Sequence, residues 1–134
     1  MWLLISMYFL LNILACVLGF KEGILYSRKG AEAFRWDEHL VFLIERSLIA
    51  ILLILFCFLN LEEAVVLIIL WVFSFSYWHN GCYFVSREYI DVPKYHFTGE
   101  SDTSSAVLEL NFWQRASLKI ISIIGLIIYI IYFI

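Results

Sequence analysis

The sequence has little charge and no surplus of positive charge. Only 16% of its 134 residues are charged, and nine Lys and Arg stand against twelve Asp and Glu, which gives a formal net charge of −3. A chain with this balance lacks the basic patch that nucleic-acid binding requires, so we expect no nucleic-acid partner.

Cysteines and catalytic motifs are also scarce. Cys16, Cys57 and Cys82 are an odd number of cysteines within apolar segments, which excludes a disulfide framework, a CxxC pair and a zinc site. The sequence contains no GxSxG, no HExxH and no glycine-rich phosphate loop. We therefore expect no cofactor and no metal ion, and favour a protein that is not an enzyme.

What the sequence does have is apolar residues, at 63% of the chain with a mean hydropathy of +0.90. A soluble domain has about 45–50%. The apolar residues form runs of about 15–20, which is the length that a bilayer requires. The sequence therefore predicts an all-α integral membrane protein, with four transmembrane helices arranged as two helical hairpins in a single domain over residues 1–134.

Four apolar segments define the predicted spans, which cover about residues 2–27, 38–60, 64–87 and 105–134. The first segment lacks the basic start of a cleaved signal peptide, so we expect it to remain as a helix. A tight polar turn at residues 60–63 makes the second and third spans antiparallel neighbours. The N-cap residues at 102–105 predict that the fourth span starts there, as one long helix extending past the cytoplasmic face.

The cations lie on one side of this arrangement. Four spans place both termini on one side of the membrane and the loops at about 28–37 and 88–104 on the other. All nine Lys and Arg lie in or beside those two loops. The positive-inside rule therefore predicts a multi-pass protein of the cell (inner) membrane, with cytoplasmic loops and both termini outside.

Polar residues interrupt the apolar runs near the cytoplasmic side. Counted from their outer ends, the third and fourth spans meet polar residues after 15 residues. That length covers only about 22 Å of a hydrocarbon core of about 30 Å. We predict an intramembrane polar layer in which acids neutralise cations, formed by Glu22, Glu45, Arg46, His79, Asn80, Tyr83, Arg87, Arg115 and Lys119.

Three interpretations of this layer remain open. Long side chains can snorkel to the lipid headgroups, a buried network can fix helix packing, or the layer can be a functional site for an ion, a proton or a lipid phosphate.

The first span carries a pattern typical of close helix packing. Ala15, Gly19 and Gly23 repeat at four-residue spacing, and Asn12 shares their face. The partner is either another helix of the chain or the first span of a second copy. We expect a homo-oligomer or a membrane complex.

The segment from Glu88 to Asn111 is long for a four-helix protein. Its aromatic and charged residues suit a segment on the membrane surface or one that meets a cytoplasmic partner, and an ordinary flexible loop is the alternative.

Two functions of different classes follow. The first is a small oligomeric channel or transporter for an ion or small solute, which uses the polar layer. The second is a non-catalytic accessory or structural membrane subunit, bacterial or phage, that binds a partner through its cytoplasmic loops. A third candidate is an enzyme that acts on lipid headgroups. It ranks below the other two because the sequence shows no nucleophile paired with a general base.

Overall fold

The protein is described by a computed structural model that covers residues 2–27, 38–56, 60–93, 95–99 and 110–133. These residues form four α-helices and no strand: α1 (Trp2–Tyr26), α2 (Glu38–Phe56), α3 (Leu61–Ile90) and α4 (Phe112–Phe133). The prediction of an all-helical chain with four helices is confirmed for this part. The predicted loop at 28–37 and residues 100–109 lie outside the described residues.

Capping boxes set the starts of α3 and α4. Oδ1 of Asn60 accepts a hydrogen bond from the backbone N–H of Glu63 at 2.8 Å, and the Glu63 carboxylate accepts one from the backbone N–H of Asn60 at 3.3 Å. Asn111 and Gln114 make the same two bonds, both at 2.9 Å. Each box satisfies two backbone donors that a helix start leaves open.

The capping box at Asn111 fixes where the described part of the fourth helix begins. Leu110 and Asn111 precede α4, which begins at Phe112. The predicted start at about residue 105 lies outside the described residues.

α1 and α3 form the most extensive helix pair and run parallel. Nε1 of Trp71 donates to the carbonyl oxygen of Leu11 at 2.9 Å, and Oγ of Ser74 donates to Oδ1 of Asn12 at 2.7 Å. Further along both helices, Gly19 lies against the backbone of His79. The residue numbers of the contacting positions thus increase in the same direction along both helices, so the helices are parallel.

α4 packs on another side of α3 and runs antiparallel to it. Oγ of Ser122 donates to the carbonyl oxygen of Leu70 at 2.6 Å, and the hydroxyl of Tyr129 donates to Glu62 at 3.3 Å. The single hydroxyl proton of Ser122 is used for Leu70, so the Tyr8 hydroxyl, 2.8 Å away, is the donor to Ser122. This bond links α4 to α1 through the buried core.

α2 contributes least to that core. Of its described side chains, only Ala50 is buried there. Glu45 and Arg46 reach across to α1 as ion-pair partners. α2 is therefore attached to the other helices largely by charged side chains.

The outer faces of the helices are apolar. Ile13, Val72 and Ile131, for example, are 60%, 63% and 68% exposed. α1, α3 and α4 (to Tyr132) are long and apolar enough to cross a membrane, among the residues described. Lipid is the solvent in which such a surface is stable, so the fold is consistent with membrane residence.

Candidate functional site

Three charged or titratable side chains from three helices meet at one point, and we call them the buried cluster: Glu22 of α1, Arg46 of α2 and His79 of α3. Glu22 is 8% exposed and His79 is 7% exposed. Glu22 follows Gly19 by one helical turn, so it lies on the face of α1 that packs against α3. The close approach of the backbones at Gly19 brings His79 within reach of it.

One carboxylate oxygen serves both partners in the cluster. Oε1 of Glu22 pairs with the Arg46 guanidinium and lies 3.2 Å from Nε2 of His79. Nη2 of Arg46 lies 3.1 Å from the same Nε2. The three groups form a closed triangle in which the buried carboxylate and the half-buried guanidinium compensate one another, as charges removed from water require.

A polar chain continues from the cluster along α3. Nδ1 of His79 lies 3.0 Å from Oδ1 of Asn80, and Nδ2 of Asn80 donates to Oγ of Ser76 at 3.5 Å. Asn80 therefore holds the imidazole on the side away from Glu22. Its amide links the cluster to Ser76 one turn earlier.

Aromatic rings cover the cluster. The Phe75 ring stacks on the His79 imidazole with centroids 4.9 Å apart, and the Arg46 guanidinium lies 5.2 Å from the Phe75 centroid. The Phe42 ring lies 5.9 Å from the same guanidinium. The interaction of the cation with the rings adds to its pairing with Glu22 and lowers the local polarity.

A second ion pair lies at the rim of the cluster. Lys21 of α1 pairs with Glu45 of α2, and their side chains are 44% and 34% exposed. Of the two acids predicted to neutralise the layer, Glu22 is therefore buried and Glu45 is partly open to the surroundings.

Tyr83 and Arg87 form a separate group toward the end of α3. Nη1 of Arg87 donates to the Tyr83 hydroxyl at 3.0 Å, and its Nε and Nη2 donate to the Asp91 carboxylate at 2.8 and 2.9 Å. This bidentate ion pair between Arg87 and Asp91 joins successive turns and stabilises the end of α3.

The cations of α4 have a different kind of surroundings. Arg115 is 1% exposed, donates from Nη2 to the carbonyl oxygen of Gly99 at 2.7 Å and lies 5.4 Å from the Phe84 ring centroid. Nζ of Lys119 lies 4.1 Å from the Tyr77 ring centroid. These contacts place the two cations against a backbone carbonyl oxygen and the faces of aromatic rings.

Residues 95–99 run back along α3. The Tyr95 ring packs edge-on against Phe84, and Phe97 lies so close to Gly81 that any Cβ there would overlap its ring. Gly99 then provides the carbonyl group for Arg115. This part of the long predicted loop is thus packed on the helices.

The predicted packing register of α1 lies against α3 of the same chain. Ala15 is fully buried, and a Cβ at Gly19 would overlap the carbonyl oxygen of His79. A Cβ at Gly23 would overlap Oγ of Ser86. The small residues therefore allow contact between α1 and α3, and this face of α1 is occupied within the chain.

Comparison with protein-family models, curated proteins and solved structures finds no match. The function therefore has to come from the geometry of the chain.

That geometry provides a carboxylate, a guanidinium and an imidazole, which can exchange hydrogen bonds and protons with one another. Among the described residues, no group of His, Cys, Asp and Glu side chains fits a metal ion. Sequence reasoning did not single out Phe75, although its position one turn before His79 is a usable signal. Ser74 and Tyr8, isolated in apolar runs, give no such signal.

Proposed function

We propose that this chain is an integral protein of the cell membrane with four transmembrane helices, paired as two hairpins. Both termini lie outside and the charged loops lie in the cytoplasm, as the distribution of Lys and Arg favours. The protein is a channel or transporter in which the buried cluster handles an ion or small polar solute on its way through the bilayer.

One observation carries this proposal: Glu22, Arg46 and His79 come from three different helices and meet at a single carboxylate oxygen. An ionisable group costs about 2.5–3.5 kcal/mol near the centre of a membrane helix and less near its ends. Apolar residues of similar volume would hold the same helices together at lower cost. A site of this kind inside a membrane protein therefore favours a chemical role over a purely structural one.

The attachment of α2 adds support. Of its described side chains, only Ala50 lies in the buried core, and Arg46 and Glu45 supply the ion pairs to α1. A helix held in this way moves when its ion pairs open, and transport cycles need two arrangements of the helices.

The proposal includes assembly with a second copy or with other membrane subunits. The small-residue face of α1 packs on α3, so a second copy would meet an outward face instead. α2 has such a face, with Leu48 and Leu52 at 56% and 52% exposed. Native mass measurement in mild detergent tests this, and a purely monomeric protein would exclude the homo-oligomer.

Flux through liposomes tests transport itself. The purified protein, reconstituted into vesicles, is assayed with dyes for H⁺, Na⁺, K⁺ and Cl⁻, and we expect flux of at least one of them. Glu22→Gln is expected to reduce that flux at least tenfold, since it removes the shared charge with little change of shape. Glu88→Gln, which alters a carboxylate paired with His96 outside the cluster, serves as the control and should conduct normally.

Two results would exclude transport through this cluster: no flux above empty vesicles, or Glu22→Gln conducting as well as the unmodified protein. Circular dichroism and gel filtration of each variant show whether the protein remains folded, so that a loss of flux is not a loss of structure.

The accessory subunit is the second candidate. Its support is the exposure of Tyr89 and Trp113, at 84% and 76%, on either side of the packed loop. Exposed aromatic residues are enriched in interfaces between proteins. Recovery of one stoichiometric partner after mild solubilisation, together with inactive liposomes, would favour this function over transport.

A further inference from the structure

The hydrogen-bond partners of His79 define where its protons are. Oδ1 of Asn80 is an acceptor only, so Nδ1 of His79, 3.0 Å away, carries a proton and donates it. The neutral imidazole then has a lone pair on Nε2, which is the nitrogen that faces the cluster.

That lone pair and the Glu22 carboxylate are two acceptors only 3.2 Å apart. Nη2 of Arg46 carries two N–H groups and reaches both of them, pairing with Glu22 and lying 3.1 Å from Nε2 of His79. Arg46 is thus the bridge that keeps the two acceptors together, and its removal would leave them repelling one another.

We infer that the ion handled by this cluster is the proton, which binds at Nε2 of His79 and competes with Arg46 for Glu22. This inference rests on the proposed transport function. A proton from hydronium forms an N–H bond at Nε2 and leaves water behind. The new N–H group points at Oε1 of Glu22, 3.2 Å away, so its acceptor is already in position.

Protonation changes the charge balance of the cluster. One carboxylate and one guanidinium neutralise each other before the proton binds, whereas one carboxylate faces two cations afterwards. Arg46 also loses its acceptor on His79 and lies beside a like charge. Release of Arg46 weakens the attachment of α2, which then rests on the partly exposed Lys21–Glu45 pair and on Ala50, the only described α2 side chain that is buried in the core.

The other charged groups near the buried cluster do not interfere with the competition between Arg46 and protonated His79 for Glu22. Lys21 and Glu45, from α1 and α2, are paired with each other at the rim. Lys119 of α4 lies over the rings of Tyr77 and Trp78. Within the part of the chain that the structure describes, the charged groups that face His79 are therefore Glu22 and Arg46.

A distance measurement between α1 and α2 tests this inference without relying on transport. Spin labels are placed at Val17 and Leu48, both exposed, in a protein whose three cysteines are replaced by serine. We expect one short distance at pH 8 and, at pH 4, a second population longer by on the order of 5 Å, comparable to one helical turn. His79→Gln should keep the short distance at both pH values.

The matched control is His96→Gln. His96 also faces a carboxylate, Glu88 at 2.8 Å, but lies on the exposed segment after α3. This variant should respond to pH as the unmodified protein does. A pH response that survives in His79→Gln, or distances in the unmodified protein that are equal at pH 8 and pH 4, would overturn the inference.

Nitrogen NMR of the imidazole provides a test that needs no substitution at His79. Nε2 should change from an acceptor to a protonated nitrogen over the pH range in which α2 moves, and an imidazole that stays neutral while α2 moves would also overturn the inference. Flux independent of pH would refute proton binding and leave transport standing. A pH-driven movement of α2 without any flux would refute transport and leave the competition standing.

Discussion

Gly19 is one of two positions where the α1 backbone approaches α3 without a side chain between them, so Gly19→Ala should separate the two helices. The added Cβ would lie 2.9 Å from the carbonyl carbon of His79 and 3.1 Å from the backbone nitrogen of Tyr83. It would also overlap the carbonyl oxygen of His79. Carbon contacts are optimal at about 3.5–4.0 Å. Since a helix backbone cannot rotate aside as a side chain can, the helices must move apart by roughly 1 Å.

The cost follows from the dispersion energy of the flanking core. A buried leucine gains roughly 5 kcal/mol from about 50 contacts, and a gap of up to about 1 Å removes a quarter to a half of that gain. If half the contacts of Leu11 and Leu18 face α3, the two residues together lose about 1.2–2.5 kcal/mol. Alanine returns up to about 1 kcal/mol of helix propensity. The net destabilisation therefore lies between about 0.2 and 2.5 kcal/mol, and its middle value of about 1.4 kcal/mol is within the usual cost of overpacking.

Equilibrium unfolding in mixed micelles with increasing dodecyl sulfate, followed by tryptophan fluorescence and circular dichroism, measures this difference. Gly125→Ala is the matched control, because its Cβ would meet only Cδ2 of Leu70 at 2.8 Å, the far end of a flexible side chain. We expect this control to unfold within about 0.5 kcal/mol of the unmodified protein, since propensity and repacking offset each other. The reasoning is wrong if Gly19→Ala is as stable as the unmodified protein, or if both alanine variants lose the same amount.

Three further changes test other parts of the fold. Gly81→Ala should displace the Phe97 ring from α3 and speed chymotryptic cleavage after Phe97; unchanged cleavage would mean that the segment does not depend on this contact. Asn111→Ala removes the capping box of α4 and should cost about 1 kcal/mol in the same unfolding assay, with no loss refuting the cap. Trp71→Phe removes the hydrogen bond to the Leu11 carbonyl and should cost about 0.5–1.5 kcal/mol. Because this variant also loses a tryptophan, circular dichroism must give the same loss of stability as fluorescence, and no loss would refute the contribution of the bond.

The helices were predictable because each has its own local signal. Long apolar runs define α1, α3 and α4, and the capping box of Asn60 and Glu63 falls in the predicted polar turn. The predicted start of the fourth span at residues 102–105 lies outside the described residues. The reciprocal bonds of Asn111 with Gln114 show that Asn111 is the N-cap of the helix that begins at Phe112.

The contacts between distant segments were not predictable in the same way. Tyr8 and Ser122 are single polar residues in apolar runs, separated by 114 positions, and no spacing relates one to the other. Arg115 could be assigned to the polar layer, but its bond to the Gly99 carbonyl depends on a non-helical segment returning along α3. Helical periodicity does not predict the path of such a segment.

The pairing of charges shows how far sequence reasoning can go. α1 carries Lys21 followed by Glu22, and α2 carries Glu45 followed by Arg46, so two cross-pairs are available between them. The structure forms both, Lys21 with Glu45 and Glu22 with Arg46. Charge order alone does not tell which pair is buried, because that depends on how each helix is rotated.

The packing of α1 decides the rotation. Gly19 and Gly23 must face α3, and Glu22 lies between them on the same side of α1, whereas Lys21 turns toward the rim. α4 has no acid between residues 112 and 133, so no comparable exchange of charges is available within that helix. Its cations contact a carbonyl oxygen and aromatic rings. At Glu22, carboxylate, guanidinium and imidazole lie within reach of one another, so a proton on His79 would compete with Arg46 for the same oxygen.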